Sequence, residues 1–319
     1  MSIVCTGSVA YDYLMTFPGL FKDHLIPDQL DKISLSFLVD TMSRQRGGTA
    51  PNLAYTLALL GEKPILMGTV GEDFSDYRNW LEAQGVDTTF TREIEGDFTA
   101  SFFCNTDQSN AQIASFYTGA MRHASSVSLK ELKPNLPDIV LVSANDPTAM
   151  DMYVSECVEL GVFMVYDPGQ QLARCCEEDI RRGAENAQCL FINEYEYELI
   201  RKHTGMTEKQ LLDRVKFMVV TLAEKGCCIY VGDEKIYVDA VTPEKILDPT
   251  GVGDAFRGGF FSGYQREFDW KVCGQMGALA ATYCLEQKGT TEHHYTRNEF
   301  VERFRQNFDD EGKLDVLIL

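Results

Sequence analysis

The stretch Asp248-Pro-Thr-Gly-Val-Gly-Asp-Ala-Phe-Arg-Gly-Gly-Phe260 decides how the chain is read. Its first half, Asp248 to Gly253, is too rich in glycine and too poor in apolar residues for a strand. From Asp254 onward Ala255, Phe256, Phe260, Phe261 and Tyr264 recur at helical intervals. Gly258, Gly259 and Gly263 lower helix propensity but permit close packing against another element. A glycine loop therefore feeds a helix N-terminus whose first amides lack intrahelical acceptors. Free amides and the positive end of the helix dipole attract anions, and glycine lets the backbone approach a phosphate. Asp254 stands at the same point, where the dipole favours its ionised form and it can take a proton from a hydroxyl. The same residues also read as a capped glycine turn with no chemistry. The familiar nucleotide fingerprints leave this open: there is no G-x-x-x-x-G-K-[ST], and Phe256 stands where a dinucleotide pattern needs glycine.

Outward from this loop the chain alternates. The runs Ile139–Ser143, Phe163–Asp167, Cys189–Asn193, Phe217–Thr221 and Cys228–Val231 are almost wholly apolar. Helical segments such as Glu194–His203 and Glu208–Arg214 separate most of them. Near-continuous apolar strands separated by helices predict an α/β protein, a mostly parallel central sheet with helices on both faces. Ser143, Asp167, Asn193 and Thr221 close their strands, at the rim where such sheets bind ligands. Nearer the N-terminus Ser2–Thr6 and Pro64–Gly68 read as strands and Phe74–Gln84 as a helix. Thr49–Leu60 reads as a helix capped by Thr49 or Ala50 and stopped by Gly61.

Two regions break the rhythm. Residues 11–46 and 97–118 carry aromatic and β-branched residues without helical periodicity, and Asn105–Asn110 separates two strands like a hairpin loop. They predict a small antiparallel β lid inserted into a large domain of residues 1–10, 47–96 and 119–319.

Composition narrows the partners. With 29 Lys and Arg against 48 Asp and Glu, the net charge is −19, which repels polyanions and argues against nucleic acid. No apolar run reaches the length of a membrane span, and the N-terminus MSIVCTGSVAYDYL has no basic leader region. The ten cysteines form no C-x-x-C pair and read as small buried hydrophobes, consistent with a reduced, cytoplasmic protein.

A second glycine pair enters a helix at Gln45-Arg46-Gly47-Gly48-Thr49-Ala50-Pro51-Asn52. The combination of GG-x-x-x-N with D-x-T-G-x-G-D resembles the ribokinase-like (PfkB) family of sugar and nucleoside kinases over nearly the whole chain. Val252 stands where that family usually has alanine. Several shorter matches follow in order. Asp12 resembles the family's substrate-binding Asp after its first strand, and Gly47, Gly48 and Asn52 its glycine hinge and a hydroxyl ligand. Asn193 and Glu196 resemble its N-x-x-E motif. Thr221-Leu-Ala-Glu-Lys-Gly226 resembles its nucleotide loop, with Ala223 in place of the first glycine. Asp167-Pro168 matches a D-P pair, and Gln170-Gln171 stand near the place where many sugar kinases have Arg. Read alone, Asp12 would be a turn residue and Asn193 and Glu196 a helix cap.

The resemblance implies ATP-dependent transfer of a phosphoryl group to a primary hydroxyl. Asp254 would be the base, and the amides of Gly251, Val252, Gly253 and Asp254 the anion hole. Mg²⁺ would be ordered through water by Asn193 and Glu196, and Thr221 and Gly226 would contact the nucleotide. In some members the positions of Asp248 and Thr250 contact a monovalent cation such as K⁺. The family also implies closure of the lid on the Gly47-Gly48 hinge, and a monomer or a homodimer through the lid.

For the acceptor, the lid carries Phe102, Phe103, Phe116 and Tyr117, and alternation places Gln112, Ala114 and Phe116 on one face. Aromatics with one glutamine suit a nucleobase better than a free sugar. A nucleoside, adenosine first, is therefore expected, and a ribokinase- or fructokinase-type sugar kinase is the alternative. A ligand-binding protein without catalysis is the reading from another class, and the intact base and loop argue against it. The lone pair His293-His294 has no assigned role.

Overall fold

The computed structural model describes residues 1–25, 32 and 34–318; the part of the expected lid at 26–31 and 33 lies outside them. Nine strands form the large sheet. From one edge they run Glu234–Val238, Cys227–Val231, Phe217–Thr221, Cys189–Asn193, Phe163–Asp167, Ile139–Ser143, Ile3–Thr6, Ile65–Val70 and Thr91–Glu93. Eight of them run in one direction, a mostly parallel sheet as predicted. Cys227–Val231 departs from that pattern: it turns back at Gly232–Asp233 and pairs antiparallel with both neighbours, the geometry that a two-residue connection permits and a parallel pair does not.

The apolar runs are continuous because both faces are covered. Cys5, Leu141, Val165, Phe191 and Val219 point into one core with Leu53, Phe260 and Met276 from the helices Thr49–Leu59, Val252–Gln265 and Trp270–Leu285. Their neighbours Val4, Val140, Met164, Leu190 and Met218 point into the other, against Met150, Ile180 and Ile200. Gly259 lets two of these helices meet closely, since a Cβ there would lie 2.5 Å from the Met276 carbonyl oxygen. All ten cysteines are free, and all except Cys175 and Cys176 are buried. No described helix is long and apolar enough to cross a membrane.

The second sheet has four strands, in the order Thr41–Gly47, Ala10–Thr16, Ala100–Thr106, Gln112–Tyr117. The hairpin expected around Asn105–Asn110 is present. The sheet is mixed, because its central pair, Ala10–Thr16 and Ala100–Thr106, runs parallel. Between those strands the chain passes back through the large sheet at Ile65–Val70 and Thr91–Glu93, a crossover long enough to reverse direction twice. One register row, Gly47–Ala10–Ala100, stands where three of the strands join the rest of the chain, and Tyr117 pairs with Ser101 one residue away.

The cap of the helix Thr49–Leu59 lies one residue before the expected Thr49. Gly48 is the N-cap, without a side-chain cap bond. The Thr49 hydroxyl is used elsewhere, donating to the Ala144 carbonyl at 3.2 Å.

Candidate active site

Between the two sheets, at the carboxyl rim of the large one, lies a cavity of about 320 Å³. Asp12, Asn52, Asp254, Phe102, Phe116 and Gln170 are among the residues that line it. Asp254 sits in the first turn of the helix Val252–Gln265, whose N-cap Gly251 has φ 77° and offers no side-chain cap. The amides of Gly253 and Asp254 find no acceptor among the described residues. They are the open donors that the loop's sequence implied.

Asn52, one turn into its own helix, donates from Nδ2 to Asp254 Oδ2 at 2.8 Å. Its Oδ1 is buried with no partner among the described residues, a cost unless a ligand supplies a donor. Burial pushes the Asp254 carboxyl up to about 6, although Arg257 and the Asn52 amide pull it down. The dipole argument alone predicted ready ionisation, and desolvation outweighs it here. Asp12 is pushed up to about 6 as well, by burial first and then by the charge of Asp248.

The glycine pair explains how Asp12 fits. A Cβ on Gly47 would stand 2.5 Å from Asp12 Oδ2, so a side chain there would displace the carboxylate. Gly48 has φ 98°, in the region that favours glycine, and a Cβ on it would meet the Ser8 carbonyl oxygen at 2.5 Å. The glycine pair thus makes room for the acid and turns the chain from the strand Thr41–Gly47 into the helix Thr49–Leu59.

Beyond Asp254 along the rim, the registers pair Ser143 with Asp167 and Asn193 with Thr221. Asn193 and Glu196 form a reciprocal capping box, with Asn193 Oδ1 accepting from the Glu196 amide at 2.8 Å and Glu196 Oε2 from the Asn193 amide at 2.9 Å. The charge of Glu196 still acts on Asp254 and Asp167. Among the described residues no three His, Cys, Asp or Glu side chains cluster to hold a metal ion. Asp248 braces the loop, accepting from the Thr250 amide at 2.9 Å and the Gly289 amide at 3.1 Å.

The turn after Thr221 closes with the Leu222 amide donating to the Gly226 carbonyl at 2.8 Å. Ala223 within it has φ 52°, so the left-handed conformation is kept where glycine has been lost. Ala223→Gly should relieve that strain and raise the unfolding free energy by roughly 0.5–1 kcal/mol, the left-handed penalty less the added entropy of glycine. Urea unfolding would show it, and an unchanged or lower midpoint would contradict it.

The structure brings Asp12, Gly48, Asn52, Phe116, Gly251, Gly253 and Asp254 to one cavity, with Thr250 at its edge. Gly47 lies behind Asp12. Gln112 does not arrive. It pairs with Thr106, four residues along the strand from the Phe116–Phe102 row, about 13 Å away at strand rise. There it is exposed and donates to the Thr106 hydroxyl at 3.4 Å. Gln170 stands at the cavity in its place. His293 is a core residue: the Tyr55 hydroxyl donates to its carbonyl at 2.6 Å, and burial pushes its imidazole down to about 4.

A family model described as pfkB family carbohydrate kinase matches residues 2–296. The chain belongs to that family. Like other pfkB kinases it is an ATP-dependent phosphotransferase with an alcohol group as acceptor. A nucleoside kinase of Methanocaldococcus jannaschii is 30% identical over 309 residues, 96% of this chain and 97% of that one. The structure of a Burkholderia thailandensis nucleoside kinase in complex with inosine superposes with a TM-score of 0.86 at 33% identity, covering 97% of this pfkB kinase and 99% of its counterpart. A ribokinase of Cryptococcus neoformans var. grubii in complex with ADP shares the fold at 19% identity, with a TM-score of 0.77 and coverage of 95% and 99%.

Proposed function

We propose that this pfkB kinase is a nucleoside kinase, transferring the γ-phosphoryl group of ATP to the primary hydroxyl of a purine nucleoside, adenosine first. The observation that carries this reading is the two-sided cavity. Phe102 and Phe116, paired across the lid hairpin, give it an apolar wall. Asp12, Asn52 and Asp254 give it a polar floor. A nucleoside has one part for each side, whereas a free sugar leaves the phenyl rings without a partner. The likeness to two nucleoside kinases supports the same acceptor. Gln170 offers both a donor and an acceptor to the base edge, so it suits a 6-amino and a 6-oxo purine alike.

In this reading Asp12 accepts hydrogen bonds from the ribose hydroxyls, and the unpartnered Asn52 Oδ1 accepts another. Asp254 takes the proton of the primary hydroxyl. The open amides of Gly251, Gly253 and Asp254 hold the charge that develops on the transferred group, joined by that of Val252 once it leaves the Pro249 carbonyl, to which it donates at 3.5 Å. Thr221 and Gly226 flank the nucleotide. Asn193 and Glu196 would hold Mg²⁺ through water, an ion that neutralises phosphate charge when bound. Glu196 fits that use, because one carboxylate oxygen remains outside its capping box. Asp248 and Thr250 would contact a monovalent cation, as Asp248 keeps lone pairs beyond its two amide donors. Residues 11–46 and 97–118 would move as the lid over the remainder.

The test is ADP release with ATP and Mg²⁺ across nucleosides, ribose and fructose, in KCl and in choline chloride. Adenosine and inosine should give kcat/KM at least about a hundredfold above either sugar, since the base contacts are realised only with them. A sugar as the best acceptor would overturn the reading, and equal rates in the two salts would remove the cation from it.

A further inference from the structure

Arg257 lies outside the cavity lining, and nothing above gives it a task. It follows Asp254 by three residues on one helix, hence on the same face. It is only 8% exposed. Its Nη2 donates to Asp167 Oδ1 at the end of the strand Phe163–Asp167. Its Nη1 is 4.0 Å from Asp254 Oδ1. A Cβ on Gly253 would lie 2.8 Å from that same Nη1, so the guanidinium rests directly against the anion loop.

Stability does not explain this placement. Burying a guanidinium is costly, and a buried ion pair is often no better than apolar packing of the same volume. The Nε group adds to the cost, being buried with no partner among the described residues. What the arrangement does achieve is geometric. Asp254 Oδ2 is held by Asn52 at 2.8 Å, and Oδ1 faces Arg257. The carboxylate cannot turn about its last bond without losing one of the two.

We propose that Arg257 is a positioning residue for phosphoryl transfer: tied down by Asp167, it fixes the Asp254 carboxylate from the side opposite Asn52 and backs the Gly253 turn of the anion loop. The inference rests on the reading of Asp254 as the base. It also fits glycine at 253, where a side chain would have to displace the guanidinium from its place. It also places a full positive charge behind amides that already attract anions. The charge further opposes the effect of burial on Asp254, for which Arg257 is the largest stabilising influence on the ionised form.

The informative variant is Asp167→Asn/Arg257→Met, which removes both charges together and leaves neither buried alone. It should unfold within a few degrees of the parent. Its kcat should fall about a hundredfold, the cost of a misplaced group, while the KM for nucleoside changes only a few-fold. The acid limb of kcat should move to higher pH as Asp254 loses its cation. The other groups facing Asp254 do not cause that movement. Asn52 is neutral, burial holds Tyr77 and Cys284 protonated, and Glu196 is unchanged by the substitutions. Asp167, pushed up to about 7 by burial, carries little charge in the acid range where Asp254 titrates, so its removal does not cancel the loss of Arg257.

A double variant with parental kcat and an unmoved acid limb would overturn the inference, as would a loss of rate at all pH values without that movement. Should the double variant not fold, Arg257→Lys decides by the same profile. Its compact ammonium cannot serve Asp167 and Asp254 together, so kcat should stay at least about tenfold low, and a parental kcat would be fatal. Turnover in Asp254→Asn would instead remove the base reading itself, so the two failures are distinct.

Discussion

Asp254→Asn should be almost inert as a kinase and yet more stable than the parent. Loss of a general base costs about 10²–10⁴ in rate, and the amide keeps the shape that Asn52 contacts. ADP release should fall by that factor, while nucleoside affinity, measured by calorimetry, stays within a few-fold. The stability gain follows from the burial of the carboxyl. Its folded pKa, about 6, lies above the unfolded value of 3.8. The stabilisation from binding a proton is complete below the unfolded value and is lost as pH rises through about 6. At pH 8 the native parent therefore carries a buried charge that the amide avoids, and the variant should gain about 1–3 kcal/mol in urea unfolding. The same position predicts that parental activity declines as pH falls through about 6. Because Asp12 is raised to the same region, the decline should be steeper than a single proton gives. Turnover above a tenth of the parental rate, or a less stable variant at pH 8, would contradict the account.

Asp12→Ala should instead act on the acceptor. A hydrogen bond to a charged group contributes about 1.5–3 kcal/mol, so losing one or two to the ribose raises the nucleoside KM by roughly 10²–10³. The KM for ATP should change little. A 2′,3′-dideoxynucleoside separates this from general damage: it should bind poorly to the parent, and the variant should no longer distinguish it from the full nucleoside. A nucleoside KM within threefold of the parent would remove Asp12 from the site.

Most of the framework was legible because its signals are local. Apolar runs such as Phe163–Asp167 and Cys189–Asn193 state their burial on two faces, and the glycine loop before Ala255 states a helix entry. Reading the acceptor end was harder. Gln112 has the right chemistry and the right face, but register decides distance along a strand, and alternation says nothing about it. Gln170 was visible in its turn, yet nothing near it in sequence shows that the turn reaches the cavity. The Asp167–Arg257 contact spans ninety residues, and neither residue signals the other. Only the i, i+3 spacing of Asp254 and Arg257 could have drawn attention to a cation on the catalytic face. For Asn193 and Glu196 the cap reading and the nucleotide reading proved compatible, since one pair of side chains serves the cap and leaves an oxygen over.

The row Gly47–Ala10–Ala100, with Tyr117 beside it, has a mechanical consequence. Three of the four places where the small sheet joins the rest of the chain lie on one row across the strands, and the fourth is one residue off it. A plate hung from collinear knuckles has a single easy rotation, about that line, and resists twisting or sliding. The phenyl rings of Phe102 and Phe116 stand two and one residues beyond the line, so a small swing moves them little sideways and mostly towards the floor. If the small sheet closes over the floor as proposed, its motion would be that of a trapdoor, and its arc, set before any ligand enters, would deliver the apolar wall to the same place each time.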